Sequence, residues 1–181
     1  MEQEGTTKFQ WLVPKSSDKW LAILWLIAGL LIAVLFWAPN FRMADIELTG
    51  PKLLAIAFRE DASVARIFDD GGFFMMIAGP FANVFVAIFT IVYALFALAR
   101  HRIQGVIVLA SIHFLSCLFG IIGGIVVAHS HSAQPFFSKL HVEPTFAYWL
   151  TSALQALVFV FSARFAFLRA KKNILKGPTI G

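Results

Sequence analysis

Four long stretches of this 181-residue chain are almost free of charge, and these stretches constrain the fold most. They cover residues 20–38, 73–99, 103–128 and 145–168, and the charged residue inside them is Arg164, near the end of the last stretch. About 20 helical residues cross a bilayer core of about 30 Å. Only 14% of the chain is charged, against about 25% in soluble domains. The sequence therefore predicts an all-α integral membrane protein, a four-transmembrane-helix bundle that forms one domain over residues 1–181.

Lysine and arginine are distributed unevenly around these four predicted spans. Ten of the fifteen lie before the first span, between the second and third, or at the end of the chain. The positive-inside rule therefore places both termini in the cytoplasm and the loops at 39–72 and 129–144 outside. The single cysteine, Cys117, lies within a span, and no asparagine begins a glycosylation sequon. These features favour a bacterial inner membrane.

The first outer loop, residues 39–72, has a helical pattern of its own. Pro51 suits the first turn of a helix. Apolar residues such as Leu53, Ile56 and Ile67 then recur at three- and four-residue steps among charged ones. We therefore expect an amphipathic helix over about residues 51–68. It either covers the mouth of the bundle or serves as a partner-docking or gating element.

Small residues recur at four-residue steps along the second and third spans. Gly79, Asn83 and Ala87 follow this spacing in the second span, and Ser116, Gly120 and Gly124 follow it in the third. Such rows allow close approach of helix backbones in lipid. They predict helix packing, either within the chain or with another protein.

Three polar residues are expected near the membrane midplane, namely Asn83, His113 and Gln155. Polar groups within spans usually face the protein interior and suggest functional sites. His113 is either a hydrogen-bonded structural residue, a proton relay, or a ligand of a quinone, haem or metal. A second histidine group, His129, His131 and His141, lies in the second outer loop. With a carboxylate of the first loop it would make a possible metal site, although loop histidines also commonly face water.

The sequence contains none of the common catalytic motifs. It lacks G-x-S-x-G, H-E-x-x-H, a Walker loop and a CxxC pair, and its spans carry no acidic residue. We therefore expect no enzymatic activity and no cofactor. The basic residues flank apolar blocks, so the lipid bilayer rather than nucleic acid is the expected partner.

The order of spans and loops resembles the claudin and tetraspan plan in topology, with both termini inside and a longer first outer loop. The paired external cysteines of those families are absent, so the resemblance implies no function. The leading hypothesis is a non-enzymatic inner-membrane subunit that assembles with partners or with itself through transmembrane helix packing. The alternatives are a channel or transporter subunit with a polar midplane level, and a membrane redox subunit that binds haem, quinone or metal.

Overall fold

The computed structural model describes residues 19–43, 45–58, 70–100, 105–129 and 142–175. These residues form five helices and three short strands. The elements are α1 (Lys19–Leu35), β1 (Pro39–Met43), β2 (Ile46–Thr49), α2 (Gly50–Phe58), α3 (Asp70–Arg100), α4 (Val106–His129), β3 (Val142–Pro144) and α5 (Phe146–Leu175).

Among the described residues, three helices are long and apolar enough to cross a membrane, which confirms the predicted membrane character. The segments that qualify are Phe74–Arg100, Val106–His129 and Phe146–Lys171. Helix α1 is also apolar but has 17 residues, about 26 Å of helix at 1.5 Å per residue. Large apolar side chains such as Val34, Phe85 and Leu115 are exposed on the helix surfaces, as expected for faces in contact with lipid tails.

The four longest helices described here pack side by side. Helix α1 lies against α3, α3 against α4, and α4 against α5, while α1 and α5 make a smaller contact. The strands β1, β2 and β3 lie at one end of this bundle, which is called the sheet end below. The opposite end, where α1 begins and α3 and α5 finish, is called the far end. At the far end, Trp25 is fully buried in an apolar cluster with Leu109 and Val158.

Helix α1 ends three residues earlier than the predicted span over 20–38. Residues Phe36–Ala38 form a tight turn in which the Trp37 and Ala38 amides donate to carbonyls three residues back. The Asn40 side-chain amide then donates to the Ala38 carbonyl oxygen at 2.9 Å. These bonds satisfy backbone groups at the helix end and turn the chain into β1.

A three-stranded sheet lies at the sheet end, so the expectation of an all-α fold is wrong for the loops that the sequence predicts to be external. Its strand order is β2-β1-β3, and both pairings are antiparallel. Arg42 of β1 lies opposite Glu47 of β2 and Glu143 of β3. The strands have three to five residues, too few for a clear alternation of apolar and polar positions. Much of the chain separates β1 from β3, so no local pattern marks their pairing.

Helix α2 covers the first part of the helix expected over residues 51–68. It begins at Gly50, ends at Phe58 and packs on α3. Leu53 is buried in the apolar cluster of the sheet end, while Lys52 is exposed. The remainder of the expected helix, residues 59–68, lies outside the described residues.

Candidate functional site

Five buried polar side chains from three helices form a cluster inside the bundle. They are Asn83 and Thr90 of α3, His113 and Ser116 of α4, and Gln155 of α5, called the polar cluster below. Thr90, His113 and Gln155 have no solvent-accessible surface. The three predicted midplane residues, Asn83, His113 and Gln155, thus all belong to this cluster.

Asn83 receives hydrogen bonds from two other helices. The Gln155 side-chain amide donates through Nε2 to Asn83 Oδ1 at 2.6 Å, and the Ser116 hydroxyl donates to the same oxygen at 3.4 Å. The three residues therefore connect α3, α4 and α5 inside the bundle. Hydrogen bonds between membrane helices average about 0.6 kcal/mol each, so this connection orients the helices more than it stabilises them.

The hydrogen bonds of Thr90 assign the tautomer of His113. The Thr90 hydroxyl donates to the Val86 carbonyl oxygen at 2.6 Å and lies 2.8 Å from His113 Nε2. Because that hydroxyl proton is already used, His113 Nε2 must carry the hydrogen that joins it to Thr90 Oγ1. A neutral His113 ring therefore presents Nδ1 as a bare acceptor.

Two acceptors of the polar cluster have no hydrogen-bond partner. They are His113 Nδ1 and Gln155 Oε1, both fully enclosed by protein. An unpaired buried acceptor costs about 1–3 kcal/mol, so two of them within one cluster are unusual. Each of the two atoms could accept a hydrogen bond from a small donor, and neither could bind an anion, since neither atom can donate in this tautomer.

Glycines let Tyr148 of α5 reach deep between α3 and α4. The Tyr148 hydroxyl donates to the Gly120 carbonyl oxygen at 2.7 Å. A methyl group added at Gly79 would lie 3.3 Å from that hydroxyl oxygen, and one at Gly124 would lie 2.9 Å from the tyrosine ring. A methyl group added at Gly120 would lie 2.6 Å from Ser152 Oγ. The predicted packing residues Gly79, Gly120 and Gly124 thus contact α5 of the same chain.

The row Gly79, Asn83 and Ala87 contacts more than one neighbour. Gly79 faces Tyr148 of α5, whereas a methyl group on Gly29 of α1 would lie 3.2 Å from the Ala87 carbonyl oxygen. A four-residue step turns about 40° beyond a full helical turn, so a row of eight residues drifts around the helix. The residues of this one row therefore contact two different helices, α1 and α5.

The sequence interpretation missed the polar row on α5. Buried Tyr148, Thr151, Ser152, Gln155 and Ser162 follow helical three-, four- and seven-residue spacing. Thr90 was missed as well, although it lies seven residues after Asn83 and so on the same helix face. In each case the helical spacing was visible in the sequence and would have marked the inward face.

The external histidines are only partly covered by the structure. His129 is exposed, and its Nδ1 donates to the Ile125 carbonyl oxygen at 2.8 Å. His131 and His141 lie outside the described residues. Among the residues that are described, no three histidine, cysteine, aspartate or glutamate side chains come close enough to hold a metal ion.

No protein-family model matches the chain, and no curated protein or solved structure matches it either. The functional conclusion therefore depends on the geometry alone.

Proposed function

We propose that the chain crosses a bacterial inner membrane four times, with α1 as the first span and both termini in the cytoplasm. Three observations support this topology. Helix α1 runs along α3 with Gly29 close to Ala87, and it exposes apolar side chains like the three longer helices. In the sequence, ten of the fifteen basic residues come before the first predicted span, between the second and third, or near the end of the chain. In this arrangement the sheet end faces the exterior.

Within that topology, the chain is a non-enzymatic subunit that assembles with a partner protein or with a second copy of itself. The observation that carries this proposal is the sheet. Because β1 comes from the first outer loop and β3 from the second, their pairing joins both loops into one surface. Thr145, directly after β3, donates from its hydroxyl to the Pro39 carbonyl oxygen and from its amide to the Asn40 carbonyl oxygen. Such a fixed external surface suits recognition of another protein.

The residues on the helix surfaces favour assembly through the sheet rather than through the membrane-spanning helices. Gly79, Gly120 and Gly124, the small residues expected to receive another helix, already contact α5. Side chains such as Phe85 and Leu115, which face lipid, are bulky. Close helix approach in membranes needs small residues, so these faces fit lipid tails better.

Site-specific photo-crosslinking in native membranes tests the assembly proposal. A photoreactive residue replaces Ile46, which lies in the β2 strand and is 54% exposed. Its matched control replaces Ile107, which is 68% exposed near the far end of α4. We expect a discrete protein adduct from position 46, identified by mass spectrometry, and lipid adducts alone from position 107. Equal protein adducts from both positions, or none from position 46, would contradict the proposal.

A second candidate function is a channel or transporter subunit for a small solute that donates hydrogen bonds. It is favoured by the two unpartnered acceptors, His113 Nδ1 and Gln155 Oε1, within a region that has no charged side chain. Water and ammonium are suitable probes, since both donate and both are small.

Liposome flux separates this candidate from the first. Gln155→Leu and His113→Phe keep roughly the side-chain volume while removing the acceptors. If the cluster carries solute, each should reduce water or methylammonium flux at least about tenfold, whereas Ser162→Ala should not. Flux equal to that of empty liposomes in the unmodified chain would remove this candidate and leave the assembly proposal unaffected.

A further inference from the structure

A groove of about 380 Å³ runs along the seam between α1 and α5. Its lining is apolar throughout and includes Ile23, Ile27 and Leu31 of α1 and Leu154, Leu157 and Phe161 of α5. This is the seam where the two helices make the least contact with each other. The groove therefore lies at the loosest of the four seams between neighbouring long helices of the described part of the chain.

The groove has a closed floor and an open side. Behind it, Trp25 Nε1 donates to Ser162 Oγ at 3.0 Å and bridges the two helices. Ala28 and Val158 form part of the floor and are buried. Ile27 and Leu157 line the open side and are 53% and 52% exposed. The groove thus opens outward, towards the lipid in the proposed topology.

Two cationic residues lie near the far end of the groove, one on each of the two helices that line it. Lys19 lies four residues before Ile23, on the helical row that continues to Ile27. Arg164 lies three residues after Phe161 on α5, and both Lys19 and Arg164 are exposed. Trp20 and Phe161 contact each other edge to face with ring centroids 6.3 Å apart, so these two helix segments lie close together.

No acidic residue of the described ranges lies at the far end, because Asp45, Glu47, Asp70 and Glu143 all belong to the sheet end. The cationic end of the groove therefore has no carboxylate among the described residues to neutralise it. An apolar channel that ends at two exposed cations matches the chemistry of an anionic phospholipid, whose acyl chain is apolar and whose headgroup is negative.

We propose that the α1–α5 groove is a binding site for one anionic phospholipid. An acyl chain lies along Ile27 and Leu157, and the phosphate pairs with Lys19 and Arg164. A helix from a second protein fits less well, since the exposed lining residues are large and the small residue, Ala28, is buried in the floor. The site rests on the proposed crossing of α1, because only a membrane-spanning α1 exposes the groove to lipid tails.

Native mass spectrometry of the full chain, released from mild detergent, tests the site. Phosphatidylglycerol and phosphatidylcholine with identical acyl chains are added at equal concentrations. Each basic residue near an anionic headgroup contributes about 1 kcal/mol, so two predict a preference of about 30-fold for phosphatidylglycerol. The double variant Lys19→Gln/Arg164→Gln should lose most of this preference. The matched control Arg100→Gln/Arg102→Gln, which removes two charges from the α3–α4 connection, should keep it.

A second pair of variants tests the acyl-chain part of the groove. Leu157→Trp fills the open side and should reduce retention of both lipids at least about fivefold. Leu115→Trp places the same side chain on exposed α4 and should leave retention unchanged.

Four results would overturn the lipid site. Equal loss of preference in both charge variants would indicate general surface attraction. Unchanged lipid retention in Leu157→Trp would show that the groove holds no acyl chain. A dimer that carries no lipid and dissociates in Leu157→Trp would assign the groove to a second copy. Labelling of both Lys19→Cys and Trp37→Cys from outside the cell would refute the α1 crossing and the site together, because these positions lie at opposite ends of α1. Failed crosslinking at Ile46 leaves the site untouched.

Discussion

The two ends of the bundle are held together differently. At the sheet end, Tyr148 lies against Gly79, Gly123 and Gly124, and its ring contacts Phe41 of β1 with centroids 4.8 Å apart. At the far end, the Trp25 cluster is apolar, and α1 meets α5 across a groove. Glycine lets two helix backbones approach closely, so that no gap remains between the helices, whereas bulky aliphatic residues hold helices apart. The helices are thus closely packed at the sheet end, whereas the far end leaves a groove between α1 and α5.

The strongest test of this contrast is Tyr148→Ala. It removes a fully enclosed ring and the hydrogen bond to the Gly120 carbonyl, so we expect a loss of about 3–5 kcal/mol in the free energy of unfolding. Thermal unfolding in detergent measures it. Phe161→Ala, at the partly buried far-end seam, should cost clearly less; an equal or greater cost would contradict the difference between the two ends.

Adding one methyl group at glycine sharpens the comparison. Gly124→Ala would place Cβ 2.7 Å from Trp149 and 2.9 Å from Tyr148, two rigid rings, so we expect a loss of about 1–3 kcal/mol. Gly120→Ala meets Ser152 Oγ, which can rotate away, and should cost less. Combining Gly120→Ala with Ser152→Ala should restore stability in the same unfolding assay. No recovery in the double variant would show that the contact with Ser152 is not the cause.

The polar cluster lies between the two ends, and Gln155→Leu measures its contribution to stability. The change removes the 2.6 Å bond to Asn83 and also removes an unpaired acceptor, so the two effects offset each other. We expect a change within about 1 kcal/mol of zero in the unfolding free energy. A much larger loss in unfolding free energy would mean that the polar cluster acts chiefly to stabilise the packing of the helices.

The smallest effect is expected at the far end, where Trp25 and Ser162 share a hydrogen bond. A double-mutant cycle of Trp25→Phe and Ser162→Ala should give a coupling of about 0.6 kcal/mol, the average for such bonds in membranes. A coupling above about 2 kcal/mol would show that the seam between α1 and α5 is tighter than the groove suggests.

The sequence was sufficient to predict the long apolar helices, and it also marked Asn83, His113 and Gln155, which the structure buries, because a span must bury its few polar groups. It could not predict the sheet, since Arg42 pairs with Glu143 across most of the chain and strands this short have no clear period. Nor could spacing alone distinguish contacts within the chain from contacts with a partner. Gly120 has the same sequence context whether it faces Ser152 or another protein; only the fold decides.

The pairing of Phe41 in β1 with Pro144 in β3 has a consequence for biogenesis. During synthesis, β1 and β2 are made long before β3, which follows α3 and α4 in the chain. Until then, β1 displays an unpaired edge, the kind of edge that invites wrong strand pairing. A chain whose synthesis stops within α4 would therefore keep this edge of the β1–β2 hairpin exposed.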